Sequence, residues 1–286
     1  MKRRCLIFIC ILSFAICLCA CTGTGASSTF SIEFIDVGQG DSALVECDGH
    51  YMLIDGGEVQ AGDKVYRTLE EKGIQKLDIL VMSHPHSDHI GGLIKALSYA
   101  SSEALTLSNV SDSNSEVFRK VEQQLGINEA KITVPHIGDV YKLGSADVEV
   151  VDVASAEPND SLVLLITYGN TRFLFTGDIQ YSGQKRLADK YDKGNGEAFK
   201  VNLIKMPHHG SWGPPSGNDN DLNRLMLVFD PDYAVISVGA GNTYGHPHRE
   251  TLELLDQAEV KVYRTDQNGD ITVKSDGKTL SFTTSK

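Results

Sequence analysis

Three histidines and one aspartate lie within six residues, directly after an apolar run that is typical of a buried strand. The apolar run is 77–82, and the polar segment that follows is His84-Pro85-His86-Ser87-Asp88-His89. At a turn between a strand and a helix, these four side chains can converge on a small volume. Imidazole and carboxylate groups suit zinc, manganese or iron, and two neighbouring metal sites need about this many ligands. The segment therefore predicts a metal centre at the end of a strand.

Two aspartates also end apolar runs. Asp55 follows Leu53-Ile54, where a carboxylate can orient the histidine-rich segment. Asp178 follows the apolar run 173–175 and is a candidate for a ligand shared by two metals. Both aspartates lie beside glycines, so an ordinary turn is the alternative interpretation at each position.

Further histidines follow two other predicted strands. His208 and His209 come directly after the run 201–206, and paired histidines at a strand end indicate metal binding or catalysis. His246 follows a glycine-rich turn and is a candidate proton donor. His248 is better explained as a solvated residue at the start of a helix.

Periodicity predicts a layered α/β domain, because strands come first, helices are interspersed and hairpins close the chain. The predicted strands are 30–36, 42–46, 51–54, 77–82, 148–153, 161–168, 172–175, 201–206, 234–238, 261–264, 271–274 and 280–283. The predicted helices are 64–72, 90–99, 115–125, 222–228 and 249–258.

The first twenty residues are typical of an export signal, with a basic start and a short apolar core. Their end, Leu18-Cys19-Ala20-Cys21, resembles a bacterial lipobox, which implies cleavage before Cys21 and acylation of that cysteine. A plain signal peptide or a single membrane anchor is the alternative. We therefore expect a signal peptide at 1–20, a flexible tether at 21–29, and a lipid anchor on the extracytoplasmic face of the cell membrane. A secreted protein is the alternative location.

Composition limits what the remaining domain, 30–286, can be. The chain has 286 residues and is 41% hydrophobic and 22% charged, which suits a globular domain. Only Cys47 of the six cysteines lies beyond the signal and its cleavage site, so no disulfide framework is expected. The formal net charge of −12 argues against avid binding of nucleic acid. The N-terminal apolar segment is the only long one, so we expect no membrane channel in this chain.

Taken together, the motifs resemble the metallo-β-lactamase superfamily. Its signature is His-x-His-x-Asp-His with an upstream Asp-Gly-Gly, at 55–57, and a downstream Thr-Gly-Asp, at 176–178. Four segments resemble more closely the hydrolase domain of the ComEC/Rec2 competence family; they are 35–42, 159–164, 207–211 and 244–247. This resemblance extends over 30–286 and implies a four-layer αββα sandwich with a metal site along one edge.

The resemblance also implies two divalent metal ions, Zn or Mn, with Fe as a further option. The implied ligands are His84 and His86 for the first metal, Asp88, His89 and His208 for the second, and Asp178 between them. The superfamily's usual additional histidine has no equivalent before position 178. Asp160 occupies that place and is the candidate substitute, and a site richer in oxygen would favour manganese or iron over zinc.

The implied activity is hydrolysis by a metal-activated water. Asp88 is expected to orient the attacking hydroxide, and His246 or His209 to protonate the leaving oxygen. The leading prediction is a monomeric phosphodiesterase or nuclease, with single-stranded DNA or a cell-envelope component as substrate. One alternative is a hydrolase of a cell-envelope or small-molecule ester, such as a phosphorylcholine-type phosphodiester or a lactone. The other is a non-catalytic metal-binding lipoprotein.

Overall fold

Two β-sheets packed face to face form the centre of the fold. The computed structural model of the protein describes residues 29–127, 130–154, 159–212 and 221–286. The predicted signal peptide, Cys21 and the tether up to residue 28 lie outside the described residues, so their assignments stay predictions. Within the described parts of the chain, no helix is both long and apolar enough to cross a membrane.

The strands are β1 Phe30–Phe34, β2 Ala43–Cys47, β3 His50–Ile54, β4 Lys76–Met82, β5 Ser101–Ser108, β6 Ile132–Thr133, β7 Val140–Leu143, β8 Ala146–Val153, β9 Leu162–Tyr168, β10 Thr171–Phe175, β11 Leu203–Lys205, β12 Tyr233–Ile236, β13 Lys261–Arg264, β14 Ile271–Ser275 and β15 Leu280–Thr284. The first sheet has eight strands in the order β15-β14-β1-β2-β3-β4-β5-β6, and the second has seven in the order β13-β12-β11-β10-β9-β8-β7. The helices are α1 Gly62–Glu71, α2 Ser87–Ile90, α3 Leu93–Ala96, α4 Glu116–Ile127, α5 Tyr181–Tyr191, α6 Asp221–Phe229, α7 Arg249–Gln257 and α8 Thr265–Asn268.

The layer between the sheets is apolar because side chains alternate along each strand. Phe30 and Phe34 of β1 face the same way and meet Phe173 and Phe175 of β10, with ring centroids 4.9 and 5.6 Å apart. Each fully buried side chain of this kind contributes roughly 1.5–3 kcal/mol to folding. The alternation predicted for the first strand therefore places its apolar face in the central core.

Helices cover the two outer faces. On the first sheet, Val65 and Leu69 of α1 join a buried cluster with Leu53 and Leu80. On the second sheet, a separate buried cluster includes side chains of α5, α6 and α7 together with outward-facing residues of β10, β11 and β12. The order of layers is helix, sheet, sheet, helix, which confirms the predicted αββα sandwich.

The predicted helix 90–99 is wrong in its extent, because the structure has two short helices, α2 and α3, separated by Gly91 and Gly92. These glycines lie directly against neighbouring backbone. A Cβ atom on Gly92 would lie 2.0 Å from the carbonyl oxygen of Gly56, and one on Gly91 would lie 2.5 Å from the backbone nitrogen of Val59. Only residues without a side chain allow the histidine-rich turn to pack this closely on the loop after β3.

Candidate metal centre

The ends of neighbouring strands meet at one edge of the sandwich. Asp55 follows β3, and the segment 84–89 follows β4, which runs parallel to β3 in the first sheet. In the second sheet β10, β11 and β12 run parallel to one another. Asp178 follows β10, the pair 208–209 follows β11, and His246 lies in the loop after β12. The sheet topology therefore gathers the residues that sequence analysis selected from separate parts of the chain.

Four of these side chains form a compact cluster of potential ligands. Asp88, His89, Asp178 and His209 each offer one ligand atom, and these atoms lie within 4.8 Å of one another. His89 Nε2 lies 3.2 Å from Asp178 Oδ1. His209 Nε2 lies 3.3 Å from Asp88 Oδ2 and 3.5 Å from Asp178 Oδ2. Three of the four are buried and Asp88 is partly exposed, so the cluster lies just below the molecular surface.

Hydrogen bonds on the far side of each imidazole determine which atom faces the cluster. His89 Nδ1 donates to Asp55 Oδ2 at 2.8 Å, and His209 Nδ1 donates to the carbonyl oxygen of Ser237 at 3.0 Å. In the neutral rings, each Nε2 then carries a lone pair that points at carboxylate oxygens. Among the described residues, neither His89 Nε2 nor Asp178 Oδ1 has a hydrogen-bond partner. Such facing acceptors require a positive charge between them, and this donor set fits a divalent cation.

The pKa shifts identify the same need for positive charge. Burial opposes protonation of His89 and His209, but the nearby Asp178 carboxylate raises the pKa of both rings well above the usual range. Burial also opposes ionisation of Asp178, yet contacts with the two imidazoles lower the pKa of this carboxyl well below its usual range. The carboxylates are thus ionised. The imidazoles hold protons at positions where a bound cation can supply the positive charge instead.

His84 and His86 lie beside this cluster and contact each other. His84 Nε2 is 3.0 Å from His86 Nδ1, and the ring centroids of His84 and His89 are 4.1 Å apart. Burial, followed by the neighbouring His89, lowers the pKa of His84 well below its usual range, so its ring is neutral and able to bind a metal. The two rings form an adjacent pair of candidate ligands, and their assignment to a first metal stays a prediction.

His209, rather than His208, belongs to the four-residue cluster. Both residues have left-handed backbone conformations, with φ of 47° at His208 and 53° at His209. His208 Nε2 is 3.8 Å from Asp178 Oδ2, and its Nδ1 accepts a hydrogen bond from Gln180 Nε2 at 2.8 Å. His208 therefore borders the cluster, and its predicted role as a ligand stays a prediction. Adjacency in the sequence offers no signal to distinguish these two histidines, because only the backbone conformation orients them.

Asp160 is not part of the four-residue cluster. Its Oδ1 accepts a hydrogen bond from Arg186 Nη2 at 2.8 Å, and the same guanidinium lies 3.1 Å from Asp152 Oδ2. Arg186 lies on α5, a helix that sequence analysis did not predict. The carboxylate that was predicted to replace a histidine is thus paired with a cation of the chain itself, and its role as a ligand stays a prediction.

A cleft of about 760 Å³ opens over the cluster. Asp88, Asp178 and His246 are among the residues that line it. Tyr244 stands at its rim, 66% exposed, and its ring stacks on that of His246 with centroids 5.7 Å apart. Burial and the neighbouring His208 and His209 lower the pKa of His246 to about 4, so this ring is neutral at pH 7. The cleft gives a substrate direct access to Asp88 and His246.

Two buried charged residues below the cluster, Asp41 and Lys205, had no role predicted from the sequence. Asp41 Oδ1 lies 3.3 Å from His209 Nδ1, and Asp41 Oδ2 lies 2.8 Å from Lys205 Nζ. Burial opposes ionisation of Asp41, but the Lys205 ammonium and then His209 lower the pKa of this carboxyl to about 2. The available signal was a lysine within the apolar run 201–206, because lysine is rarely buried unless it is paired.

Comparisons with known proteins show which family and fold this chain resembles. Residues 35–240 match the family model described as the Metallo-beta-lactamase superfamily. ComE operon protein 3 of Bacillus subtilis is 28% identical over 280 residues, which cover 90% of this chain and 34% of that protein. Competence protein ComA of Neisseria gonorrhoeae is 27% identical over 240 residues, covering 82% and 30% respectively. The chain therefore spans about a third of the length of these curated relatives. Among solved structures, the metallo-beta-lactamase fold protein YhfI of Bacillus subtilis is similar with a TM-score of 0.54 and 13% identity, covering 86% of this chain and 100% of that one.

Proposed function

The chain belongs to the metallo-β-lactamase superfamily, and we propose that it is a metal-dependent phosphodiesterase that acts outside the cytoplasm. One observation carries the proposal. The Nε2 atoms of His89 and His209 face the carboxylates of Asp178 and Asp88, because each Nδ1 is already engaged as a donor. This arrangement lies at the base of an open cleft, where a substrate can reach it.

The proposed cofactors are two divalent ions, Zn or Mn, with Fe as a further option. The four-residue cluster would hold one ion, and His84 with His86 would contribute to the other. When bound, such ions supply a Lewis acid for the attacked phosphoryl oxygen and make water a competent nucleophile near neutral pH. The donor set of imidazoles and carboxylates is compatible with each of these metals.

The chain's own residues provide orientation and proton transfer. Burial opposes ionisation of Asp88, but the neighbouring His209 and His89 lower the pKa of its carboxyl, so it is ionised and can orient the attacking water by accepting a hydrogen bond from it. His209 is only 1% exposed and has both ring nitrogens engaged, which argues against contact with a leaving group. His246 lines the cleft and is neutral. We therefore assign to His246 a hydrogen bond to the leaving oxygen.

Single-stranded DNA is the first macromolecular substrate to test. The support is that two relatives carry the names ComE operon protein 3 and Competence protein ComA. The resemblance to the competence family implies a link to DNA uptake, and a phosphodiesterase of this fold is compatible with cleavage of a DNA strand. With DNA as its substrate, the enzyme would be a nuclease.

A small phosphodiester or another small ester of the cell envelope is the second candidate substrate. The described residues that line the cleft include Glu58, Asp88, Asp160 and Asp178 but no lysine or arginine. A long polyanion needs basic groups along its path, whereas a cleft of about 760 Å³ lies in the size range of small-molecule sites. The lack of a lysine or arginine among the described lining residues therefore favours a small substrate over a nucleic acid strand.

The location outside the cytoplasm is proposed from the N-terminal sequence alone. Acylation of Cys21 would hold the domain at the outer face of the cell membrane. Metabolic labelling with a palmitate analogue tests this directly, because Cys21→Ala should abolish labelling. Equal labelling of the two proteins would contradict the lipid anchor.

Metal content and hydrolysis test the enzymatic proposal together. The purified protein is analysed for metal, and is then assayed on bis-p-nitrophenyl phosphate and on single-stranded DNA with Zn, Mn or Fe. We expect two metals per chain and a loss of turnover of about 100-fold or more in Asp88→Ala, the scale of a misplaced nucleophile. Asp63→Ala, at an exposed aspartate of α1, is the matched control and should retain full activity. An active Asp88→Ala protein, or wild type that neither binds metal nor cleaves either substrate, would contradict the proposal.

A further inference from the structure

Lys205 places a positive charge in the layer between the two sheets. It is the last residue of β11 and pairs in register with Phe175 of β10 and Val235 of β12. Both neighbours belong to the central apolar core, so the Lys205 side chain projects from the face of the second sheet that packs on the first. The residue is 2% exposed. A buried ammonium group is strongly unfavourable unless it is paired, and its presence here requires a specific partner.

The partner is Asp41, which lies in the loop between β1 and β2 of the other sheet. Lys205 Nζ is 2.8 Å from Asp41 Oδ2 and also donates to the carbonyl oxygen of Met206 at 2.8 Å. The ion pair therefore connects the two sheets directly below the metal centre. Neither the Lys205 ammonium nor the Asp41 carboxylate takes part in the proposed hydrolysis.

The backbone of Asp41 is joined to the histidine-rich turn. The Asp41 N–H donates to the carbonyl oxygen of Asp88 at 3.1 Å, and the Asp41 carbonyl accepts from the Gly57 N–H at 2.8 Å. The preceding Gly40 lies so close to this turn that a Cβ atom there would be 2.2 Å from the Asp88 carbonyl oxygen. Asp41 is thus held at a defined distance from a cluster residue by its main chain as well as by Lys205.

The second carboxylate oxygen of Asp41 faces a cluster histidine. Asp41 Oδ1 is 3.3 Å from His209 Nδ1 and, among the described residues, has no hydrogen-bond partner. The Nδ1 proton of His209 is directed to the Ser237 carbonyl oxygen at 3.0 Å. The carboxylate therefore acts on the protonated edge of the ring through its charge. In the neutral ring, a carboxylate at that edge favours the tautomer with its proton on Nδ1, which leaves the Nε2 lone pair available to a metal and makes it a more basic ligand.

We propose that Lys205 and Asp41 are positioning residues of the metal centre: Lys205 fixes the Asp41 carboxylate, and Asp41 holds His209 with its Nε2 lone pair directed at Asp88 and Asp178. The inference rests on the proposed function through its metal centre. It predicts that the two charges influence metal affinity and not only the stability of the fold. A purely structural ion pair would influence stability alone.

A double variant separates these two roles. Asp41→Asn combined with Lys205→Met removes both charges, so it leaves no unpaired buried charge, and it should unfold at a temperature close to that of wild type. Zn²⁺ and Mn²⁺ affinities are measured by competition with a chromophoric chelator, alongside thermal unfolding of the metal-free proteins. We expect the double variant to bind Zn²⁺ about 10- to 100-fold more weakly than wild type, the usual effect of removing a carboxylate behind a metal-binding histidine. Lys205→Arg, which retains the charge, should bind Zn²⁺ within about threefold of wild-type affinity, a smaller change than the one expected of the double variant.

Lys200→Met is the matched control, because Lys200 forms exposed ion pairs with Asp230 and Asp232 in the segment that precedes β11, away from the metal centre. It should leave metal affinity unchanged. If wild type binds metal and the double variant binds it equally well, the positioning role is overturned while the proposed function stands. If wild type itself binds neither Zn²⁺ nor Mn²⁺, the proposed function and this inference are both overturned.

Discussion

Replacing Asp55 by asparagine should weaken metal binding in a protein that still folds. The Asp55 carboxylate accepts hydrogen bonds from the Ser83 N–H at 2.8 Å, from Ser83 Oγ at 2.6 Å and from His89 Nδ1 at 2.8 Å. Asparagine has nearly the same shape and tolerates the left-handed backbone at this position, where φ is 57°. The substitution therefore changes the chemistry of one atom facing His89 and little else.

The expected magnitude follows from the tautomer of His89. An amide nitrogen in place of Oδ2 is a donor, so His89 Nδ1 must become an acceptor and its proton must move to Nε2. A protonated Nε2 cannot bind a metal, and the cluster loses one of its two lone pairs on nitrogen. Loss of such an orienting carboxylate weakens metal binding by about 10- to 100-fold, or about 1.4–2.8 kcal/mol. Loss of the charge-assisted hydrogen bond should lower the free energy of unfolding by about 1.5–3 kcal/mol.

The assay compares zinc affinity and urea unfolding for wild type, Asp55→Asn and Ser83→Ala. Ser83→Ala is the matched control, because it removes a buried hydroxyl that bonds to the same carboxylate but leaves the bond between Asp55 and His89 in place. We expect the control to retain zinc affinity within about threefold, below the effect of losing the carboxylate. A folded Asp55→Asn protein with wild-type zinc affinity would refute the reasoning about the tautomer.

Three further perturbations test other contacts. Gly40→Ala should lower thermal stability and metal affinity together, because its Cβ would lie 2.2 Å from the Asp88 carbonyl oxygen at a φ of 137°; unchanged melting would show that the loop can shift freely. Arg186→Ala should destabilise the protein by about 1–3 kcal/mol in urea unfolding, because it leaves the buried Asp160 carboxylate without its cation, with a reduction for the partial exposure of the arginine; no change would mean that water replaces the guanidinium. Burial raises the pKa of the Cys47 thiol, so at pH 8 it stays neutral and should react with iodoacetamide at least about tenfold more slowly than in the urea-unfolded chain; equal rates would contradict its burial.

Local sequence was sufficient to predict most of the elements that build the site. The alternation of β1 and the apolar runs of β4 and β10 identified strands whose ends carry the polar residues, because side-chain period and strand length are local properties. The spacing of the segment 84–89 likewise predicted candidate metal ligands, and two of them, Asp88 and His89, belong to the four-residue cluster. Prediction failed for β5 and α5, since small and polar residues give Ser101–Ser108 little strand character and Tyr181–Tyr191 few apolar positions. Tertiary packing stabilises both elements.

The sequence by itself determined the fold class and which residue types meet at the strand ends. Only the tertiary structure decided which of these residues join the four-residue cluster and which of them pair with other side chains. Two successive left-handed residues bring His209 rather than His208 into the cluster, and α5 brings Arg186 to Asp160. The pairing of Asp41 with Lys205 joins opposite sheets through atoms 2.8 Å apart. Such contacts depend on how strands and helices pack in three dimensions, and residues far apart in the chain carry no local pattern that relates one to the other.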